Sequence, residues 1–274
     1  WRILSTILII HIYILLTKNN LNIKNQNLIV FISMFLLVIS KPFNILINNG
    51  NFSIICLWSF IYYFYGSRIN ILTTLFICSV KYSFFPILFF YSILNKYFIQ
   101  LFLVLLISIL LIINFSIKFD SSFFEIMFSP IKVGASSTAS GFLDYQTFMG
   151  NHPNNLYIRY FLIILSSFLI FFIIYKNTIR NKLFDLCLIS FVTVIFYKHL
   201  YYDMVFLLPL LIYSFKIKKK LKYIPIFIII YFWFLTYSDI LYTIRYWKSF
   251  LVFNNLMLLI CFYVILSFHK KFND

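Results

Sequence analysis

Charged residues in this chain almost never interrupt its apolar runs, and that pattern limits what it can fold into more than any other feature. Runs of 12 to 24 residues are nearly free of Asp, Glu, Lys and Arg, and the connectors between them are short and basic. A helix crossing a bilayer needs about 20 apolar residues, fewer when its ends snorkel. The pattern predicts spans over residues 2–17, 28–40, 52–65, 71–94, 98–116, 157–175, 183–197, 204–215, 223–241 and 250–268. Composition agrees: 63% of the residues are hydrophobic, 11% are charged, and the mean hydropathy is +0.95. A water-soluble domain carries about 25% charged residues. The expected fold class is therefore all-α, a polytopic transmembrane helical bundle of about nine or ten spans. Residues 1–274 form one integral membrane domain with no separate soluble domain. The abundance of Phe, Ile, Lys and Asn points to an AT-rich genome and a bacterial inner (cytoplasmic) membrane.

Two segments complicate the count. Residues 71–94 carry Lys81 and Pro86 near their middle, and proline removes a backbone donor and disfavours helix in the residue before it. The stretch reads either as one kinked crossing or as a short re-entrant or broken helix pair with 81–86 at its apex. Residues 117–156 form a long loop, small and polar over 133–156. A connection of that length is usually functional or disordered. Its Asp144, His152, Asn154 and Asn155 could line a substrate entrance, and are read first as solvated loop residues.

Charge sets the orientation. Residues 216–222 hold five lysines and are assigned to the cytoplasm by the positive-inside bias. Counting back, 198–203 and 117–156 fall outside, and 176–182 and 95–97 inside. If 71–94 is a hairpin, the inner side holds 14 Lys and Arg against two acids, and the outer side nine against five. A single crossing would put Lys18, Lys24 and Arg68 outside, so charge favours the hairpin. The net charge of +16 is accounted for by these loops, not by a nucleic-acid surface.

On this topology Asn48–Asn51, Lys81, the 117–156 loop and 198–203 approach one non-cytoplasmic face. The segment Lys198-His199-Leu200-Tyr201-Tyr202-Asp203 packs a base, an imidazole and a carboxylate against the next apolar run. Ionisable groups at membrane depth are costly, so a cluster of them is a functional candidate. His199 and Asp203 share a face only where the chain is helical. They could shift a proton, orient a hydroxyl or meet a phosphate, or the segment could simply anchor in headgroups. Lys81 could offer a fixed charge to a phosphate, or reach lipid headgroups from a hairpin apex. Residues 44–51 read as a turn, and within them Asn48-Asn49-Gly50-Asn51 reads first as a turn and second as a set of amides for sugar hydroxyls. Asp185, three residues after Lys182, reads as a local ion pair. Asp239 and Arg245 lie near the outer end of their span.

The four cysteines lack C-x-x-C spacing, which argues against metal or disulfide chemistry. No P-loop, H-E-x-x-H or G-x-S-x-G motif occurs, which disfavours a nucleotide-driven pump.

Taken in order, Pro42, Gly50-Asn51, a hydrophobic span, a basic turn, Lys81-Tyr82-Ser83-Phe84-Phe85-Pro86 and the late block from His199 to Pro209 form a pattern. It resembles that of the polyprenol-phosphate-mannose-dependent mannosyltransferases, glycosyltransferase family 87 of the glycosyltransferase-C superfamily. The resemblance covers about residues 1–215. It implies a membrane hexosyltransferase that moves a sugar, usually mannose, from a polyprenyl-phosphate carrier to a lipid-linked or cell-surface glycan acceptor on the outer face. It implies no cofactor and no metal, and no nucleic-acid partner. It implies His199 and Asp203 as catalytic candidates, Lys81, Lys198 and Lys41 for the donor phosphate, and Asn49, Asn51 and Tyr202 for substrate. The family's principal acidic residue lies in an outer loop several spans before the position matched by Trp1, so it is expected upstream of Trp1 in a longer protein. The rival readings are a multi-span transporter or lipid-linked glycan flippase, and a glycan polymerase or ligase. A matching second broken helix would favour transport, and an arginine-rich outer loop would favour the polymerase or ligase; the sequence shows neither.

Overall fold

The computed structural model describes residues 1–19, 21, 23–66, 68–80, 85–127, 165, 168–169, 171–172, 175–176, 181–196, 201–217, 220–236 and 248–270. Among the described residues all regular structure is helical. The helices are α1 (Arg2–Lys18), α2 (Gln26–Ile39), α3 (Lys41–Asn48), α4 (Ser53–Tyr65), α5 (Arg68–Val80), α6 (Phe85–Leu94), α7 (Phe98–Phe119), α8 (Lys182–Phe196), α9 (Leu208–Ser214), α10 (Tyr223–Ile230) and α11 (Lys248–Lys270). A 3₁₀ segment, Tyr201–Leu207, leads into α9, and a π-helical turn, Tyr231–Leu235, continues α10. The expected span over 157–175, most of the loop 117–156, and Asp144, His152, Asn154, Asn155, Asp239 and Arg245 lie outside the described residues.

Cross-bundle contacts fix the direction of each helix. Trp1 lies beside Gly50, and His11 meets Trp58 and Tyr62, so α1 and α4 run the same way. At the far end of α4, the Tyr63 hydroxyl is 2.9 Å from Ser92 Oγ, and its ring is 6.3 Å from that of Tyr97. The end of α6 therefore returns to the level at which α5 starts, and α5–α6 is a hairpin. Tyr91 meets Asp185 at this same end, and Phe184 packs on Tyr213. Trp233 then reaches back to Met204, and Tyr231 to Asn254. One end of the bundle thus gathers Arg2, α3, the start of α4 and Asp203. The other gathers Lys18, the end of α4, Asn95–Tyr97, Asp185 and Phe215–Ile217.

Helices α4 and α8 are central. Ile54, Leu57, Phe60, Ile61 and Phe64 of α4 are buried, as are residues 183–194 of α8. Outer helices bury one stripe and expose another that is equally apolar. α1 buries Ser5, Leu8, Ile12 and Leu16 and exposes Ile3, Ile7, Ile10 and Ile14. α7 exposes most of its length, with Leu101 and Val104 buried. It is the one described helix that by itself is long and apolar enough to cross a membrane; α2 and α3 reach that length only as a pair bent by 58°. Small hydroxyl residues at the buried faces, Ser5, Ser33, Ser59 and Ser190 among them, let backbones approach closely.

Three local expectations change. Residues 44–48 are not a turn but the body of α3. Ser40 Oγ accepts from Phe43 N–H, Pro42 sits in the first turn where proline costs no hydrogen bond, and Phe43 and Leu46 are buried. The turn is confined to Asn49–Asn51 and closes as a Schellman motif. Gly50 N–H bonds to Ile47 C=O (3.4 Å), and Asn51 N–H to Leu46 C=O (3.0 Å), with Gly50 at φ +62°. Second, the span expected at 204–215 begins as 3₁₀ helix and becomes α-helix only at Leu208, where Pro209 occupies the first turn. Third, α7 runs to Phe119, and the following loop opens with a capping box. Ser122 N–H bonds to Glu125 Oε2 (3.1 Å) and Glu125 N–H to Ser122 Oγ (3.2 Å), ahead of a helical turn at 123–127.

Candidate functional site

The start of α4 and the 3₁₀ segment, 150 residues apart in sequence, meet through a serine. Asn51 precedes α4, and its Oδ1 accepts from Ser53 N–H at 3.0 Å, which orients the amide. The Ser53 hydroxyl lies 2.6 Å from the same oxygen and also donates to Asp203 Oδ1. A hydroxyl carries one hydrogen. Two acceptors therefore share it, and Ser53 couples the amide to the carboxylate. Ser53 is fully buried and Asp203 is 1% exposed. Each takes part in a further interaction, as expected for a carboxylate out of water.

The 3₁₀ segment that carries Asp203 is held from three sides. α3 packs along it. Trp233 Nε1–H donates to Met204 C=O at 2.9 Å, and Phe60 and Phe206 meet edge to face at 5.2 Å. Asp203 is thereby fixed below the surface.

The other sequence candidates fall into two groups. Lys41, exposed in the first turn of α3, and Asn49, exposed at its C-cap, share the Asp203 end. Asn51 is half-buried. Tyr202 lies in the 3₁₀ segment beside Asp203, with its side chain outside the described residues. Lys81, Lys198 and His199 lie outside the described residues. Among the described residues no three His, Cys, Asp or Glu side chains gather as a metal site. The four cysteines are buried free thiols.

Sequence reasoning missed Ser53. Its signal was slight: a hydroxyl in the first turn of a helix otherwise apolar at nearly every position. It also missed two clusters elsewhere. Asp185 is 2% exposed and accepts from the Tyr91 hydroxyl at 3.0 Å, a bond that ties α6 to α8 across the bundle. Its role reaches beyond a local pairing with Lys182. In the second cluster Trp58 Nε1–H donates to His11 Nδ1 at 2.8 Å, with Trp58 and Tyr62 stacked at 5.1 Å. An indole N–H can only donate, so His11 carries its proton on Nε2.

No protein-family model, no curated protein and no solved structure matches this chain.

Proposed function

We propose that this chain is a polytopic membrane glycosyltransferase with its site at the Asp203 end of the bundle. The bundle is of the glycosyltransferase-C type and sits in a bacterial inner membrane, with the Asp203 end away from the cytoplasm. The enzyme moves a hexose, mannose in the first instance, from a polyprenyl-phosphate sugar to a lipid-linked or cell-surface glycan.

The observation that carries the reading is the Asn51–Ser53–Asp203 joint. It brings the amide-rich turn after α3 and the segment that follows Lys198 and His199 to one end of the bundle. Apolar faces turned outward on α1, α2 and α7 support a lipid surround. Lys18, Lys96 and Lys216 lie at the opposite end, where the positive-inside bias calls for the cytoplasmic side.

The chemistry follows from the leaving group. As the bond from C1 to the phosphate oxygen breaks, negative charge grows on the phosphate, and fixed cations aimed at it lower the barrier. Lys81, Lys198 and Lys41 take that part. His199 moves the proton or contacts the phosphate, and buried Asp203 acts as a positioning residue. Asn49, Asn51 and Tyr202 hold sugar hydroxyls.

The test is transfer of labelled mannose from polyprenyl-phosphate-mannose in membranes holding the protein. Lys81→Ala and His199→Ala should abolish transfer while membrane insertion persists. Wild-type turnover in both variants would refute the assignment. Movement of the donor lipid between leaflets without covalent transfer would replace it with the flippase reading.

A further inference from the structure

The first 119 residues contain no carboxylate side chain; the first acid in the chain is Asp120. Yet two exposed cations of that stretch, Arg2 of α1 and Lys41 of α3, flank α3 at the Asp203 end. Helix α3 leaves α2 at 58°, so if α2 stands along the membrane normal, α3 lies closer to the membrane plane. It turns Pro42, Phe43 and Leu46 inward and exposes Lys41, Asn44 and Asn48. Those three are spaced i, i+3 and i+7, which is one stripe of a helix. The Arg2 guanidinium donates to Asn48 Oδ1 at 3.4 Å, which sets the second cation at the far end of the stripe. The two charges bracket about 10 Å of helix. Between them the Asn44 amide is held by Ser40 C=O at 3.0 Å.

Helix stability does not explain Lys41. It occupies the first turn, where the helix dipole disfavours a cation by some tenths of a kcal/mol. Among the described residues Lys41 and Arg2 form no ion pair. The stripe is rich in donors and lacks anions, at a bundle end where lipid headgroups would lie.

We infer that the α3 stripe, Lys41, Asn44 and Asn48 with Arg2, is a docking site for a lipid headgroup phosphate. The inference rests on the membrane reading of the chain and not on glycosyl transfer. A protein that held the lipid but transferred no sugar would leave it standing, and one that transferred sugar without holding the lipid would sink it alone.

The probe is phosphatidylglycerol. The full chain is purified in mixed micelles of phosphatidylglycerol and phosphatidylcholine, and retained lipid is counted by native mass spectrometry. Wild type should keep phosphatidylglycerol over phosphatidylcholine. Arg2→Gln and Lys41→Gln should each weaken retention roughly fivefold, and together about twenty-fivefold. Lys222→Gln, at the opposite end, should match wild type, and unchanged melting would show that the exposed substitutions leave the fold intact. Undecaprenyl phosphate tells the two lipid sources apart. If it displaces phosphatidylglycerol at equal concentration, the stripe serves a carrier phosphate; if it does not, the stripe serves the bulk lipid. Retention by the double variant equal to wild type overturns the inference. So does displacement by inorganic phosphate alone, which would make this a site for free anions.

Discussion

Ser53→Ala tests whether Asp203 is held through the serine. The substitution removes one oxygen from a fully buried position and opens little space, so packing changes little. Asn51 Oδ1 keeps its bond from the residue-53 backbone N–H at 3.0 Å. Asp203 loses a donor to a carboxylate that is 1% exposed and cannot turn to water in compensation. A hydrogen bond to a charged group is worth about 1.5–3 kcal/mol. The expected loss is therefore about 2 kcal/mol, roughly thirtyfold in the unfolding equilibrium. Asp203→Asn keeps the shape and changes the acceptor. If the two side chains act on each other, the double variant should fall short of additivity by about 1–2 kcal/mol. The assay is unfolding in mixed micelles followed by tryptophan emission. Trp233 reports locally, because its indole is buried and donates to Met204 C=O, next to Asp203. Additivity within about 0.3 kcal/mol would show no energetic link between the two positions and would refute the reasoning.

Tyr91→Phe should destabilise by about 2 kcal/mol because it strips a donor from buried Asp185. Tyr63→Phe, which breaks a neutral bond to Ser92, should cost about 1 kcal/mol in the same assay; the reverse order would contradict a charge-assisted Asp185 contact. Gly50→Ala should cost about 1–2 kcal/mol by thermal melting, since φ is +62°. The added Cβ would meet Trp1 Cγ at an ordinary 3.9 Å, so a larger loss would point to crowding instead. In intact cells, a membrane-impermeant thiol reagent should label a cysteine placed at Asn49 and spare one at Lys222, and inverted vesicles should reverse this; the opposite pattern would overturn the orientation.

Much of this fold could be read from residue order, because its signals are local. Apolar length and flanking lysines marked out α1, α2, α4, α7 and α11 to within a few residues. The charge balance favoured a hairpin at 71–94 over a kinked crossing. The shared bundle end of Asn51 and Asp203 followed from counting crossings. Proline in a first turn was harder to interpret: Pro42 fell just past the end of the expected 28–40 span and Pro209 inside the expected 204–215 span, whereas they open α3 and α9. Ser53–Asp203 and Tyr91–Asp185 could not be read at all. Whether two side chains 150 or 94 residues apart touch depends on how each helix is rotated about its axis. Rotation is encoded by an apolar face set against a polar one, and helices that are apolar on both faces carry almost no such signal. Sequence alone therefore determined where most of the described helices run, while packing in three dimensions decided which polar groups meet inside.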